Sequence, residues 1–109
     1  MGRFEAYFET LSTRIEGLAK SEIEDFFDSA VRDGKDFLEK TRGDLERWTM
    51  LLAKGEITKG DFEWLVKGKK DLATLEALKQ KGLALARLDG FRASLIETVV
   101  QSAFDLFLG

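Results

Sequence analysis

Apolar residues recur every three or four positions through both halves of this 109-residue chain, and no proline interrupts them. Phe4, Phe8, Leu11, Ile15 and Leu18 step by four and three, the spacing of a heptad seam on one face of a helix. After a single step of five the series resumes at Ile23, Phe27, Ala30, Gly34, Phe37, Thr41, Leu45, Trp48 and Leu52. The second half repeats it with Phe62, Leu65, Leu72, Leu75, Leu78, Gly82, Leu85, Leu88, Phe91, Leu95, Val99, Ala103 and Leu106. Proline removes an amide donor and clashes with the preceding turn, so it breaks helix interiors. A chain of this length would ordinarily carry about five; having none, it is free to form few, long helices. The pattern predicts an all-α fold.

The strongest punctuation lies mid-chain. Gly55 can take a positive φ just past a helix end. Thr58 can cap the next helix with Asp61 at its third position, an acidic capping box, and Ile57 and Phe62 stand where a hydrophobic staple would hold them. The turn over residues 54–58 divides one domain into an arm over residues 3–53 and an arm over residues 59–108. Two weaker breaks are visible. Ser21-Glu22-Ile23-Glu24 reads as a capping box near residues 18–22, where continuity or a mild kink is expected, and Gly68 with Asp71 allows a kink near residues 68–71.

The simplest assembly of two such arms is a long antiparallel helical hairpin, each arm roughly 75 Å if continuous. Facing residues then have numbers summing to about 111, which sets Phe4 near Phe107, Ile23 near Leu88, Gly34 near Leu78 and Leu45 near Val66. One apolar seam per arm suffices for a hairpin, yet the chain supplies more. Phe26, Val31, Leu38 and Leu51 flank the first seam; Trp64, Leu83, Ile96, Val100 and Phe104 flank the second. Stripes this wide suit helices contacted on two sides. A homodimer of hairpins, forming a four-helix bundle or a larger helical oligomer, is therefore expected, with Phe26, Val31, Leu38, Ile96, Val100 and Phe104 at the interface.

Leu45, Leu52, Gly55, Ile57, Thr58, Asp61 and Phe62, with lysines and Leu72 beyond, resemble the SHOCT short helical motif. The similarity spans residues 45–72. It implies oligomerisation or partner contact and carries no catalytic residues.

Composition narrows the chemistry. Apolar residues make up 44% of the chain, including nine Phe and two Trp, which is too much for disorder and enough for a core. With no His and no Cys, His-based catalysis, thiolate chemistry and ordinary zinc sites are ruled out. No phosphate-binding glycine loop is present. The acids Glu22, Glu24, Asp25, Asp28, Asp33 and Asp36 form the one dense carboxylate group, expected as a solvated face partly answered by Lys79, Lys81 and Arg87. Trp48, Phe62 and Trp64 near the turn, and Phe4, Tyr7, Phe8, Phe104 and Phe107 near the termini, are expected to pack the core. The net charge is −3, and Lys67, Lys69 and Lys70 are the densest basic cluster, so nucleic acid is not an expected partner. The first residues lack the apolar run of a signal peptide and no segment is long enough to span a membrane, giving a cytoplasmic expectation. The functional expectation is a non-enzymatic oligomerisation or protein-interaction module without a cofactor. The alternative is a peripheral lipid-binding protein using the apolar C-terminal face.

Overall fold

A computed structural model describes residues 2–108. It contains five α-helices: α1 (Arg3–Glu22), α2 (Phe27–Ala53), α3 (Lys59–Lys67), α4 (Glu76–Gln80) and α5 (Leu85–Phe107). Short 3₁₀ turns at Glu24–Phe26 and Lys70–Leu72 join α1 to α2 and lead from α3 towards α4. Among the described residues there are no strands. The all-α expectation holds. The long arms, continuous or mildly kinked, do not: the greatest dimension is 43 Å, far short of a 50-residue helix, and the chain breaks close to both expected kinks.

The first arm folds back on itself. Ile23 leaves helical geometry at φ −131° and ψ 47°, its amide still bonded to the Ala19 carbonyl at 2.8 Å and its own carbonyl accepting from Phe26 at 3.1 Å. Past this corner α2 runs antiparallel to α1. Glu16 pairs with Lys35 at 3.3 Å, and the Arg42 guanidinium lies over Phe8 at 4.4 Å and Phe4 at 5.6 Å. Reversal is favoured over continuity because it buries both apolar faces of the arm against each other. No glycine or proline marks the corner; tertiary burial overrides local propensity there.

The turn after α2 is a Schellman motif. Gly55 has φ +74°, the Glu56 amide bonds the Leu51 carbonyl at 2.9 Å, and the Gly55 amide bonds that of Leu52 at 3.1 Å. Thr58 then starts α3. Its hydroxyl accepts from the Asp61 amide and the Asp61 carboxylate accepts from the Thr58 amide, both at 3.0 Å. Phe62 is buried and Ile57 packs half-buried against the core.

The second arm is broken more deeply than a kink. After Lys67 the chain passes through Lys70–Leu72 to α4, whose first turn has no side-chain cap from its own N-cap residue, Leu75. A carboxylate from α2 takes that role: Asp33 accepts from the Ala77 amide at 3.0 Å and from the Leu78 amide at 2.8 Å. Leu75 itself sits at φ +55°, a conformation costing a non-glycine residue about 1–3 kcal/mol. Burial of Leu75 and Leu78 and the two charge-assisted bonds to Asp33 offset that cost. A second Schellman turn at Gly82, φ +79°, leads into α5.

All five helices thereby share one core. α5 packs on α1, on α3 and, across the core, on α2, and α2 also packs on α1 and α3. Arg3 with Leu106, Glu22 with Ser94, Asp25 with Arg87, Asp33 with Leu78, and Asp44 with Lys69 are neighbours. A reversal at the Gly55 turn brings those pairs near whether the arms are straight or folded. Buried hydroxyls on α2 are satisfied by its own backbone, Thr41 donating to the Phe37 carbonyl at 2.9 Å and Thr49 to that of Leu45 at 2.7 Å.

Helices come close together at Gly34, where a Cβ would meet Ile15 Cγ2 at 2.6 Å and Leu95 Cδ2 at 3.3 Å. Gly43, on the same helix, has nothing within 4 Å of its would-be Cβ. Gly34→Ala should destabilise the protein by about 1–3 kcal/mol through overpacking. Gly43→Ala should stabilise it by up to about 1 kcal/mol through helix propensity. Urea unfolding of both variants checks the pair, and equal effects of one sign would contradict the packing described.

Candidate interaction surface

The carboxylates of the first arm do not converge. Asp25 takes both Arg87 Nη atoms, at 2.8 and 3.0 Å, and the bonded guanidinium holds its carboxyl below the usual range. Glu22 accepts from the Ser94 hydroxyl at 2.8 Å, and Asp36 pairs with Lys40 at 2.9 Å. Asp33, expected on a solvated face, is 6% exposed and serves α4 instead. Its partners lie 44 and 45 residues away, so no local pattern points to them. The other perturbed carboxylates are similarly occupied. Burial acts to raise Asp44, but hydrogen bonds from Lys69 and Arg47 outweigh it and hold the group low. Backbone and hydroxyl bonds at Thr58 hold Asp61 low. No group of three acids fit to hold a metal ion occurs among the described residues.

The aromatic residues form a packed end. Tyr7 meets Phe107 edge-on at 5.5 Å between centroids, and Phe4 meets Phe8 at 5.6 Å. Phe62, beside the mid-chain turn, lies 6.1 Å from Phe104, near the C-terminus. In a straight hairpin the turn and the termini would be at opposite ends; folding of both arms brings them together. The Tyr7 hydroxyl is buried and donates to the Val99 carbonyl at 2.9 Å, leaving nothing with which to read a ligand.

The stripe expected between chains is largely accounted for within one. Ile96 and Val100 are 6% and 3% exposed, and Leu38 is also buried. Phe26, Val31 and Phe104 are half-buried against the core. The reading that this stripe stays open in a lone chain is thus corrected: the short α3, freed by the breaks around residues 68–84, lies along the face of α5 that a second chain was expected to cover.

Two surface features remain. The first is an open groove of about 1040 Å³ between α3, the segment leading to α4, and α5, with Ala73, Ile96 and Val100 lining its apolar part. Arg92 ties its walls together, Nε donating to the Ala73 carbonyl at 2.8 Å and Nη1 to Asp89 at 2.9 Å. The lining has Lys67, Lys70, Lys79 and Arg92 against Glu63, Asp71, Asp89 and Glu97. Those charges cancel, so the groove selects neither anion nor cation. Thr74 is the one hydroxyl-bearing residue among those that line it.

The second feature is Trp64 on α3, 75% exposed. The core placement expected for this residue is incorrect. Phe62 and Val66 hold α3 to the core, and at 100° per residue Trp64 falls on the opposite face. Counted along one long arm, Trp64 falls on a seam flank; counted within the separate helix α3, it falls opposite the core. Among the described residues, Met50, Leu85 and Leu108 are the other exposed large apolar side chains. No protein-family model, curated protein or solved structure matches the chain.

Burial pushes the Tyr7 phenol far above its ordinary value, near 10 when unfolded. Its contribution to stability is therefore complete below about pH 10 and is lost as pH rises beyond that. Tyr7 is the only tyrosine, so phenolate absorbance reports it alone. It should appear only as helical circular dichroism disappears, and near pH 10 in denaturant. Ionisation near pH 10 with the helices intact would contradict the burial.

Proposed function

We propose that this chain is a non-enzymatic helical interaction module that associates with itself and through that contact serves larger assemblies. The exposed Trp64 indole carries the reading. Tryptophan is enriched at the energetic centres of protein interfaces and costly to leave in water. Its helix lies within residues 45–72, the segment resembling a motif that implies oligomerisation. The perturbed titratable groups support the non-enzymatic part, since each has a structural partner or is enclosed: Asp25 with Arg87, Asp44 with Lys69 and Arg47, Asp61 with Thr58, and Tyr7 in the core. The lipid alternative relied on an open apolar face of α5, and its central residues Ile96 and Val100 are covered within the chain. No helix among the described residues is long and apolar enough to cross a membrane.

Sedimentation velocity over a concentration series, paired with liposome co-sedimentation, tests the reading. Mass above that of one chain, rising with concentration, and no pelleting with anionic or neutral vesicles is the expected result. A strict monomer that pellets with vesicles would replace this reading with the lipid one.

A further inference from the structure

We propose that residues 68–83 form a strap that opens as one unit, with Asp33 as its latch, while α1, α2, α3 and α5 stay folded. Opening uncovers an apolar face of α2 and removes one wall of the groove beside α5.

The polar ties on the strap are few, and they come from other elements. The segment runs antiparallel along α2. At one end Lys69 lies 3.2 Å from Asp44, and at the other the Ala77 and Leu78 amides donate to Asp33. Between them the Arg92 side chain of α5 donates to the Ala73 carbonyl at 2.8 Å. Phe37, one turn beyond Asp33, shares the face of α2 that bears Asp33 and Asp44, and it is buried.

Nothing within the strap would keep its shape away from α2. Helix α4 has five residues, and an isolated helix shorter than about 12–15 residues is marginal in water. It packs chiefly on α2. Leu75 holds a left-handed conformation at φ +55°, which a bulky side chain rarely adopts and which opening releases. Gly82, at φ +79°, gives the far end a pivot without steric restriction. The other helices have their own supports. The Thr58 cap and the buried Phe62 and Val66 fix α3, and α5 packs on α1, α2 and α3.

Two things close the strap: burial of Ala73, Leu75, Leu78 and Leu83, and the carboxylate of Asp33. That one group serves two amides, so its loss frees the whole first turn of α4. Segments with few tertiary ties open ahead of global unfolding, and native-state hydrogen exchange reads such openings residue by residue.

Exchange measured by NMR at low urea concentrations tests the strap in the unaltered chain. The Leu78, Lys79 and Gly82 amides should exchange about tenfold or more faster than those of Ile15 and Val99, with a weaker dependence on urea. Asp33→Ala should speed the strap amides by about a further tenfold or more, with Ile15 and Val99 still the slower set. Asp33→Asn, which keeps a carbonyl acceptor, should fall between. The alanine variant should also bind the apolar dye ANS more strongly than the unaltered chain. Strap amides that share the rate and urea dependence of Ile15 and Val99 would overturn the separate opening. Unchanged strap rates in Asp33→Ala would overturn the latch. A strap opened with no gain in ANS binding would overturn the uncovered apolar face.

Discussion

The middle of α2 is where the structure is tied together. Gly34 presents bare backbone to Ile15 of α1 and Leu95 of α5, and this allows three helices to meet without a gap between them. The preceding residue, Asp33, turns its carboxylate to the first amides of α4. Two adjacent residues thus position every helix except α3, which the Gly55 turn and the Thr58 cap place along α2 and α5. A side chain at position 34 would separate α1 and α5 from α2. An apolar side chain at position 33 would leave two amides near the core without acceptors, a loss greater than that of an ordinary exposed hydrogen bond.

From this constraint follows the way in which the chain satisfies its wide apolar stripes. A two-helix hairpin would leave Ile96 and Val100 in water, which is why a second copy was expected to cover them. Folding each arm places five helices around one core, and much of the excess apolar surface is absorbed by the chain itself. Among the described residues the exposed large apolar side chains are then few, Met50, Trp64, Leu85 and Leu108, beside a groove whose charges balance.

The parts of this arrangement legible in the sequence are those fixed by neighbours along the chain. Helices appear in the spacing of Phe4, Phe8, Leu11 and Ile15, and the turn in Gly55, Thr58 and Asp61, because three-residue contacts decide both. The corner at Ile23 is of another kind. Its local pattern is the same for a bent helix and a complete reversal, and the choice depends on whether the faces of α1 and α2 gain more by meeting each other. Asp33 is likewise invisible locally, sitting in a run of acids that reads as a solvated face. Trp64 is intermediate: its phase relative to Phe62 and Val66 was present in the sequence, but became decisive only with α3 known to be a separate nine-residue helix.

The reversal at Ile23 is the claim on which all of this stands, and the chain's lack of cysteine makes it measurable. Spin labels attached through Glu9→Cys and Lys40→Cys, both on exposed positions, report the separation of α1 from α2 by double electron–electron resonance in protein diluted with unlabelled chains. Helices in contact lie about 8–10 Å apart between axes, so with the label arms a single distance of roughly 20 Å is expected. A population centred near the roughly 46 Å that a continuous helix would impose over this span would contradict the account.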